Sequence, residues 1–355
     1  MSSTELTEKL AAQGARQIEY RGGQTVAVYS DPRREFSALR SGCGLYHLGW
    51  RTNITLNGRD RVRWLNGMIT NNVRDLAPGR GVYGFLLNPQ GHILGDLYAY
   101  NRGDYLLVAT EQLQADKVLG TFKRYIIMDQ VEVTNVSEKL TAIGVSGPSS
   151  REMLRAVGLE FPILEPLQLA DIAWQQVGLT VVGGDNPVSE SYEVFLPPES
   201  VNRIWDALVK AGATPVGSEA FELFRIAAGI PRYGQDIRER DLPQETEQSR
   251  ALNFTKGCYI GQEIVERIRS RGNVHRKFTG FVLQGPLPAP GTKVQADGKE
   301  IGEITSVASL PVSSGDLPVA LGYVRREIGV KGKEVQVGDI RATVSELPFA
   351  EVFRN

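Results

Sequence analysis

Lys256-Gly257-Cys258-Tyr259-Ile260-Gly261-Gln262-Glu263 divides this sequence into two textures. Before it, helical and strand patterns alternate; from Lys277 onward only short alternating strands and turns remain. The octamer holds one of the chain's two cysteines, with glycines on both sides and a lysine two residues earlier. Ile264, Val265 and Ile268 follow at helical spacing up to Arg271, which predicts Cys258 in a tight loop just ahead of a helix start. A helix N-terminus and a nearby ammonium, here Lys256, both favour thiolate over thiol. Thiolate is the form of sulfur that attacks or ligates a metal. The competing reading is a small buried hydrophobe, the usual state of an isolated cysteine.

Working outward, the 355 residues are too many for one small core and imply two or three lobes. Hydrophobic content of 41% and charged content of 23% are those of a globular protein. A net charge of −1 excludes a strongly basic nucleic-acid binder, and direct RNA binding is not expected. No apolar run reaches membrane-span length, so no membrane partner is expected. The first ten residues lack an apolar signal core and carry Glu5 and Glu8, which predicts a cytoplasmic protein. Two cysteines, Cys43 and Cys258, cannot build a disulfide framework or a four-thiolate metal site.

Residues 1–23 read as a polar helix and a turn, and Thr25 to Tyr29 as a strand. Asp31 reads as an N-cap with Pro32 at the first helical position. Cys43, with no lysine, histidine cluster or helix start behind it, reads as structural. A hairpin is predicted around Asn88-Pro89-Gln90-Gly91, and its second strand carries Asp96 among Ile93, Leu94, Leu97 and Tyr98. Such an acid either points outward on an alternating strand or serves a site. Glu193, between Tyr192 and Val194 in the strand Ser191 to Leu196, poses the same choice. Arg225 lies in a largely apolar helix and needs a partner, either a core carboxylate or an anionic ligand. After Lys277, strands at short regular spacing suggest a small barrel.

The sequence has no phosphate-binding glycine loop, no dinucleotide fingerprint and no paired-cysteine or paired-histidine metal motif. His47, His92 and His275 are too scattered for a zinc site, so no resident metal is predicted. Arg267, Arg269, Arg271, His275, Arg276 and Lys277 form a basic run. It reads as a solvated face, an anion site, or a docking patch for an acidic partner or RNA.

The octamer K-G-C-Y-I-G-Q-E with its arginine-rich continuation resembles the signature of the YgfZ family, folate-binding proteins that support iron–sulfur enzymes. That family is an offshoot of the glycine-cleavage T-protein, an aminomethyltransferase. Gly147-Pro148, Gly229-Ile230-Pro231 and Leu242-Pro243-Gln244-Glu245 are similar to loops of the same superfamily. The resemblance implies an α+β fold, a T-protein-like cloverleaf of mixed sheet and helix lobes closed by a small C-terminal β-barrel. Its divisions are a folate-binding body of two interleaved lobes over residues 1–250, a signature loop and helix over 251–276, and a barrel over 277–355. It further implies tetrahydrofolate, or a one-carbon derivative, held by Asp96, Glu193, Arg225 and Tyr192. Asp96, Lys256 and Cys258 would carry the chemistry, with Cys258 a transient iron–sulfur ligand. Partners would be iron–sulfur assembly factors or client enzymes, tRNA-modifying ones among them. The T-protein carries a second acid beside the position of Asp96, where this chain has Gly95 and Leu97. The alternative reading is folate-dependent aminomethyl or methyl transfer, the one enzymatic activity the resemblance offers, with Cys258 incidental.

Overall fold

The computed structural model describes residue 6, residues 15–272 (for 271 the backbone alone) and residues 274–353. The chain forms two compact units from interleaved segments. One comprises Met1–Leu86, Gly95–Phe221 and Thr255–Tyr259; the other comprises Leu87–Leu94, Glu222–Phe254 and Ile260–Asn355.

Two larger sheets and a short hairpin lie in the first unit. A five-stranded sheet has the spatial order Arg80–Leu87, Ile93–Asn101, Leu106–Glu111, Arg51–Asn57, Glu132–Asn135. A six-stranded sheet runs Leu169–Trp174, Val177–Gly183, Ser191–Leu196, Thr141–Ser146, Gly44–His47, Thr214–Pro215. Strand alternation sends Val145, Val181, Val194 and Leu196 to one face of the second sheet, where they pack with Trp205 and Leu208 of the helix Val201–Ala211. Burying side chains of this size contributes about 2 kcal/mol each. Asp31 caps the helix Pro32–Ser41 as expected, its carboxylate accepting from Arg34 N at 2.9 Å.

The reading of residues 1–23 as a polar helix and a turn is corrected from Arg16 onward; Leu6 is helical, and the rest of that expectation lies outside the described residues. Arg16–Tyr20 is a strand paired with Gly23–Val28, and Tyr20 faces Gly23 across a two-residue turn. Arg21 and Gly22 both have positive φ, 53° and 85°, the backbone that a tight hairpin turn requires.

In the second unit six strands close a barrel: Arg276–Leu283, Gly315–Arg325, Lys299–Val312, Lys293–Ala296, Glu334–Val337 and Ile340–Ser345. Phe281, Val294, Ile304, Val324 and Val337 fill it. The long strand Lys299–Val312 is held by its pairing with Gly315–Arg325 as far as Val312 opposite Gly315. A short helix, Ala350–Phe353, closes the chain unannounced by any pattern, with Phe349 and Val352 fully buried.

The linear divisions at 250 and 277 differ from this grouping for an electrostatic reason. Asp236 accepts from Arg225 Nη1 at 2.7 Å, from Thr305 Oγ1 at 2.5 Å and from Ser306 Oγ at 2.7 Å. Arg276 donates to Asp241 at 2.8 Å and to both oxygens of Glu245 at 2.9 Å. Residues 222–254 are thereby tied to strands of the barrel. Among the described residues, no helix is long and apolar enough to cross a membrane.

Candidate functional site

Strand register assembles a polar cluster inside the first unit. Tyr98 stands opposite Ala109, and Ala109 opposite Asn53. Asp96 and Arg51 lie two residues from Tyr98 and Asn53, so Arg51, Asp96 and Tyr98 share one face of the five-stranded sheet. In the six-stranded sheet Gly144 pairs with both Tyr46 and Glu193, giving a row across three strands. A Cβ on Gly144 would lie 2.0 Å from the Tyr46 ring, so glycine is what lets that ring lie across the strand.

The two acids singled out in the sequence are linked through this cluster. Glu193 forms an ion pair with Arg51 Nη1. The Arg51 guanidinium lies 5.4 Å from the Tyr98 ring centroid. Tyr98 contacts Tyr83 at 5.0 Å between centroids, and Tyr83 donates its hydroxyl to Asp96 Oδ2 at 2.6 Å. Gln114 donates from Nε2 to Asp96 Oδ1 at 2.5 Å and accepts from Asp96 N at 2.9 Å. Asp96, Tyr98, Arg51 and Glu193 are all half-buried.

Charge is fixed at one end of the cluster. Burial would lower the Arg51 pKa, but the Glu193 carboxylate and the neighbouring phenols of Tyr100 and Tyr98 outweigh it and keep the guanidinium charged. Burial first, and Glu193 second, raise the Tyr46 pKa, so that phenol stays neutral. Each Asp96 oxygen has one partner, and Glu193 has only Arg51 among the described residues. A carboxylate can accept about four hydrogen bonds. Both acids therefore retain lone pairs for a donor-rich ligand.

The other predicted residues fall elsewhere. Tyr192 is corrected: alternation turns it to the opposite face from Glu193, where its ring packs on Phe161 and its hydroxyl bonds Glu190. Arg225 is corrected likewise. Of the two partners envisaged it has the core carboxylates, Asp236 and Glu222, both at 2.7 Å, and it also donates to Ser306 at 3.0 Å. Its side chain is only 3% exposed, so it is committed inside the second unit.

Lys256 is buried, and its Nζ donates to the carbonyls of Asn66, Ile69 (2.6 Å) and Asn71 (2.9 Å). Asn66 and Ile69 lie at the C-terminal end of the helix Arg61–Met68, where carbonyls lack intrahelical partners and the helix dipole favours a cation. Burial pulls the Lys256 pKa down to about 7. The carbonyls and the Tyr259 ring face, 4.8 Å from Nζ, work against that shift. The lysine expected to activate sulfur thus has all three protons engaged in holding its own loop. Between buried Lys256 and buried Tyr259, Gly257 and Cys258 are exposed. The helix Gln262–Arg271 follows, with Gly261 as its N-cap residue. Cys43 is buried, and burial pushes its thiol up to about 12. The basic run does not act as one face: Arg276 is taken by Asp241 and Glu245, and Arg269 lies over Phe254 at 4.5 Å. Among the described residues no three His, Cys, Asp or Glu side chains converge as a metal site.

Sequence reasoning missed Arg51, Tyr46, Tyr83 and Gln114. Tyr98 was in reach, since it lies two residues from Asp96 and so must share its face. Arg51 had no local signal; only the register of two sheets brings it to Glu193.

Residues 6–256 match the family described as the GCVT N-terminal domain, and residues 273–351 match the CAF17 C-terminal beta-barrel domain. An aminomethyltransferase of Rubrobacter xylanophilus is 28% identical, with 99% of this chain and 95% of that protein covered. An aminomethyltransferase of Geobacillus kaustophilus is also 28% identical, with 98% of each chain covered. The crystal structure of aminomethyltransferase T of the glycine cleavage system from Bartonella henselae superposes with a TM-score of 0.87 at 23% identity, covering 98% of this chain and 97% of that one. This is the same fold, α+β with a closed C-terminal barrel.

Proposed function

Because this chain belongs to the GCVT N-terminal domain family, we propose that it binds a reduced folate and supports the assembly or repair of iron–sulfur clusters in client enzymes through Cys258. The resemblance of its signature octamer to the YgfZ family supports the finer part of that reading, tRNA-modifying clients and a cytoplasmic location included. One observation carries it: an exposed thiol on a loop whose two flanking anchors, Lys256 and Tyr259, are buried. A loop held at both ends presents sulfur outward at a fixed place. One thiolate supplies one cluster ligand, so the remaining ligands come from a partner protein or a small thiol.

Tetrahydrofolate suits the first unit's cluster. Asp96 and Glu193 offer acceptors to the N–H groups of a pterin, and the Tyr98 and Tyr83 rings offer faces for stacking. When bound, the folate would supply a nitrogen that carries a one-carbon unit; the protein's part is to orient it and exclude water.

Aminomethyl transfer is the second reading, and the aminomethyltransferase relatives that match along nearly the whole chain favour it. Against it stands position 95. A Cβ on Gly95 would approach Gln114 Oε1 to 2.8 Å, so the second acid cannot be added without displacing the partner of Asp96.

Complementation separates the two readings. A deletion strain carrying the intact protein or Cys43→Ser should recover iron–sulfur enzyme activities, and one carrying Cys258→Ser should not. Full recovery with Cys258→Ser would hand the function to one-carbon transfer.

A further inference from the structure

We infer that Arg51 is a specificity-determining residue: paired with Glu193, it selects a ligand with a lactam edge, as in a 4-oxopteridine, and rejects a 2,4-diaminopteridine. The inference rests on the folate reading of the first unit's cluster and deepens it.

Arg51 Nη1 bonds Glu193 Oε2, which leaves Oε1 and the other guanidinium N–H groups without a partner among the described residues. The pair thus presents an acceptor beside a donor. A lactam, N–H next to C=O, presents a donor beside an acceptor, and the two edges match. A 2,4-diaminopteridine reverses the order at that edge. Its ring nitrogen turns a lone pair toward the carboxylate, and its 4-amino group turns N–H toward the guanidinium.

Water cannot readily relieve that mismatch, because the Arg51 and Glu193 side chains are only 15% and 18% exposed. Unpaired polar groups are costly in such surroundings. Tyr98 under the guanidinium, at 5.4 Å, restrains it from swinging away. With Arg51 removed, the lone Glu193 carboxylate would prefer the more basic diamino ring, which can bind it protonated. The selectivity is therefore a property of the pair.

Calorimetric titration of the purified full chain with folic acid and aminopterin, which share a tail and differ at the 4-position, tests this, together with the tetrahydro form of each. The intact protein should bind the 4-oxo ligands tighter by about tenfold or more. Arg51→Met should erase or reverse that ratio, and Arg51→Lys should keep part of it. A role in folding alone would lower both affinities together and leave the ratio unmoved. Equal binding of both rings by the intact protein overturns the inference and leaves the folate reading standing. Binding of neither overturns both. If Arg51→Met does not fold, as judged by thermal unfolding, the ratio in the intact protein and in Arg51→Lys decides.

Discussion

Two groups of carboxylates and arginines stand in this molecule, and they differ in what their oxygens have left to accept. In the second unit Asp236 is fully buried and takes four donors: Arg225 Nη1, Arg232 N, Thr305 Oγ1 and Ser306 Oγ. Glu245 is filled by Arg276 and Leu242 N. In the first unit Asp96 takes one donor per oxygen and Glu193 has Arg51 alone among the described residues. Charge and burial were poor guides to function here, since the deepest arginine, Arg225, is the structural one. Unfilled hydrogen-bonding capacity distinguishes the candidate cluster from the scaffold.

Removing the cation from the filled group should give the largest effect. Arg225→Leu leaves Asp236 charged, buried and without its guanidinium, which costs about 3–5 kcal/mol. Urea unfolding would read that loss, and folate affinity of the fraction that stays folded should be unchanged. A loss under about 1 kcal/mol would mean that Asp236 is less committed than its four donors indicate.

Lys256 tests the same contrast with backbone oxygens in place of carboxylates. Lys256→Met keeps the length of the stem and strips the donor from three carbonyls, with a cost of about 3 kcal/mol. Added to that, the exposed loop loses its inner anchor. Stability measured by denaturant should fall well beyond the change in Glu193→Ala, whose carboxylate is only partly engaged.

A third test uses pH. His47 is buried beside Thr141, and burial lowers its pKa from the ordinary 6.5 to about 4. Between those values the unfolded chain binds a proton that the folded chain refuses. Stability is therefore fully present above pH 6.5 and is lost as pH falls toward 4, by up to about 3 kcal/mol from this group. His47→Gln should flatten that slope in unfolding curves taken across the window. An unchanged slope would assign the acid sensitivity to the ion pairs.

Much of the fold was legible because its signals are local. The strand Ser191–Leu196, the helix Val201–Ala211 and the capped helix at Pro32 announce themselves by alternation, 3.6-residue spacing and Asp31-Pro32. The short hairpin Arg16–Val28 was missed because its turn, Arg21-Gly22, has an arginine where asparagine or aspartate is the usual signal. The candidate cluster was half legible. Asp96 and Glu193 stand out as acids in apolar strands, whereas Arg51 and Tyr46 join them only through pairings across two sheets, which no local window contains. Tyr192 was misplaced because adjacency in sequence means opposite faces on a strand.

The cysteines give the smallest effect on stability and the cleanest form of the contrast between committed and open groups. Cys43 packs with Leu45 and Val145 in the core of the first unit, 6% exposed, with a thiol raised to about 12. At neutral pH it is therefore both shielded and protonated, and neither condition permits alkylation. Cys258 is exposed. Native protein at pH 7 should take up one equivalent of iodoacetamide, at Cys258, and a second only on unfolding. Cys258→Ser should abolish the first event and move stability by less than about 0.5 kcal/mol. Cys43→Ser should leave labelling intact and cost about 1–2 kcal/mol, because it buries a hydroxyl among apolar side chains. Two equivalents at similar rates in the native state would show that the core around Cys43 opens. Silence at Cys258 would show that exposure alone does not make this thiol reactive, and the proposed cluster chemistry would then require a partner to activate it.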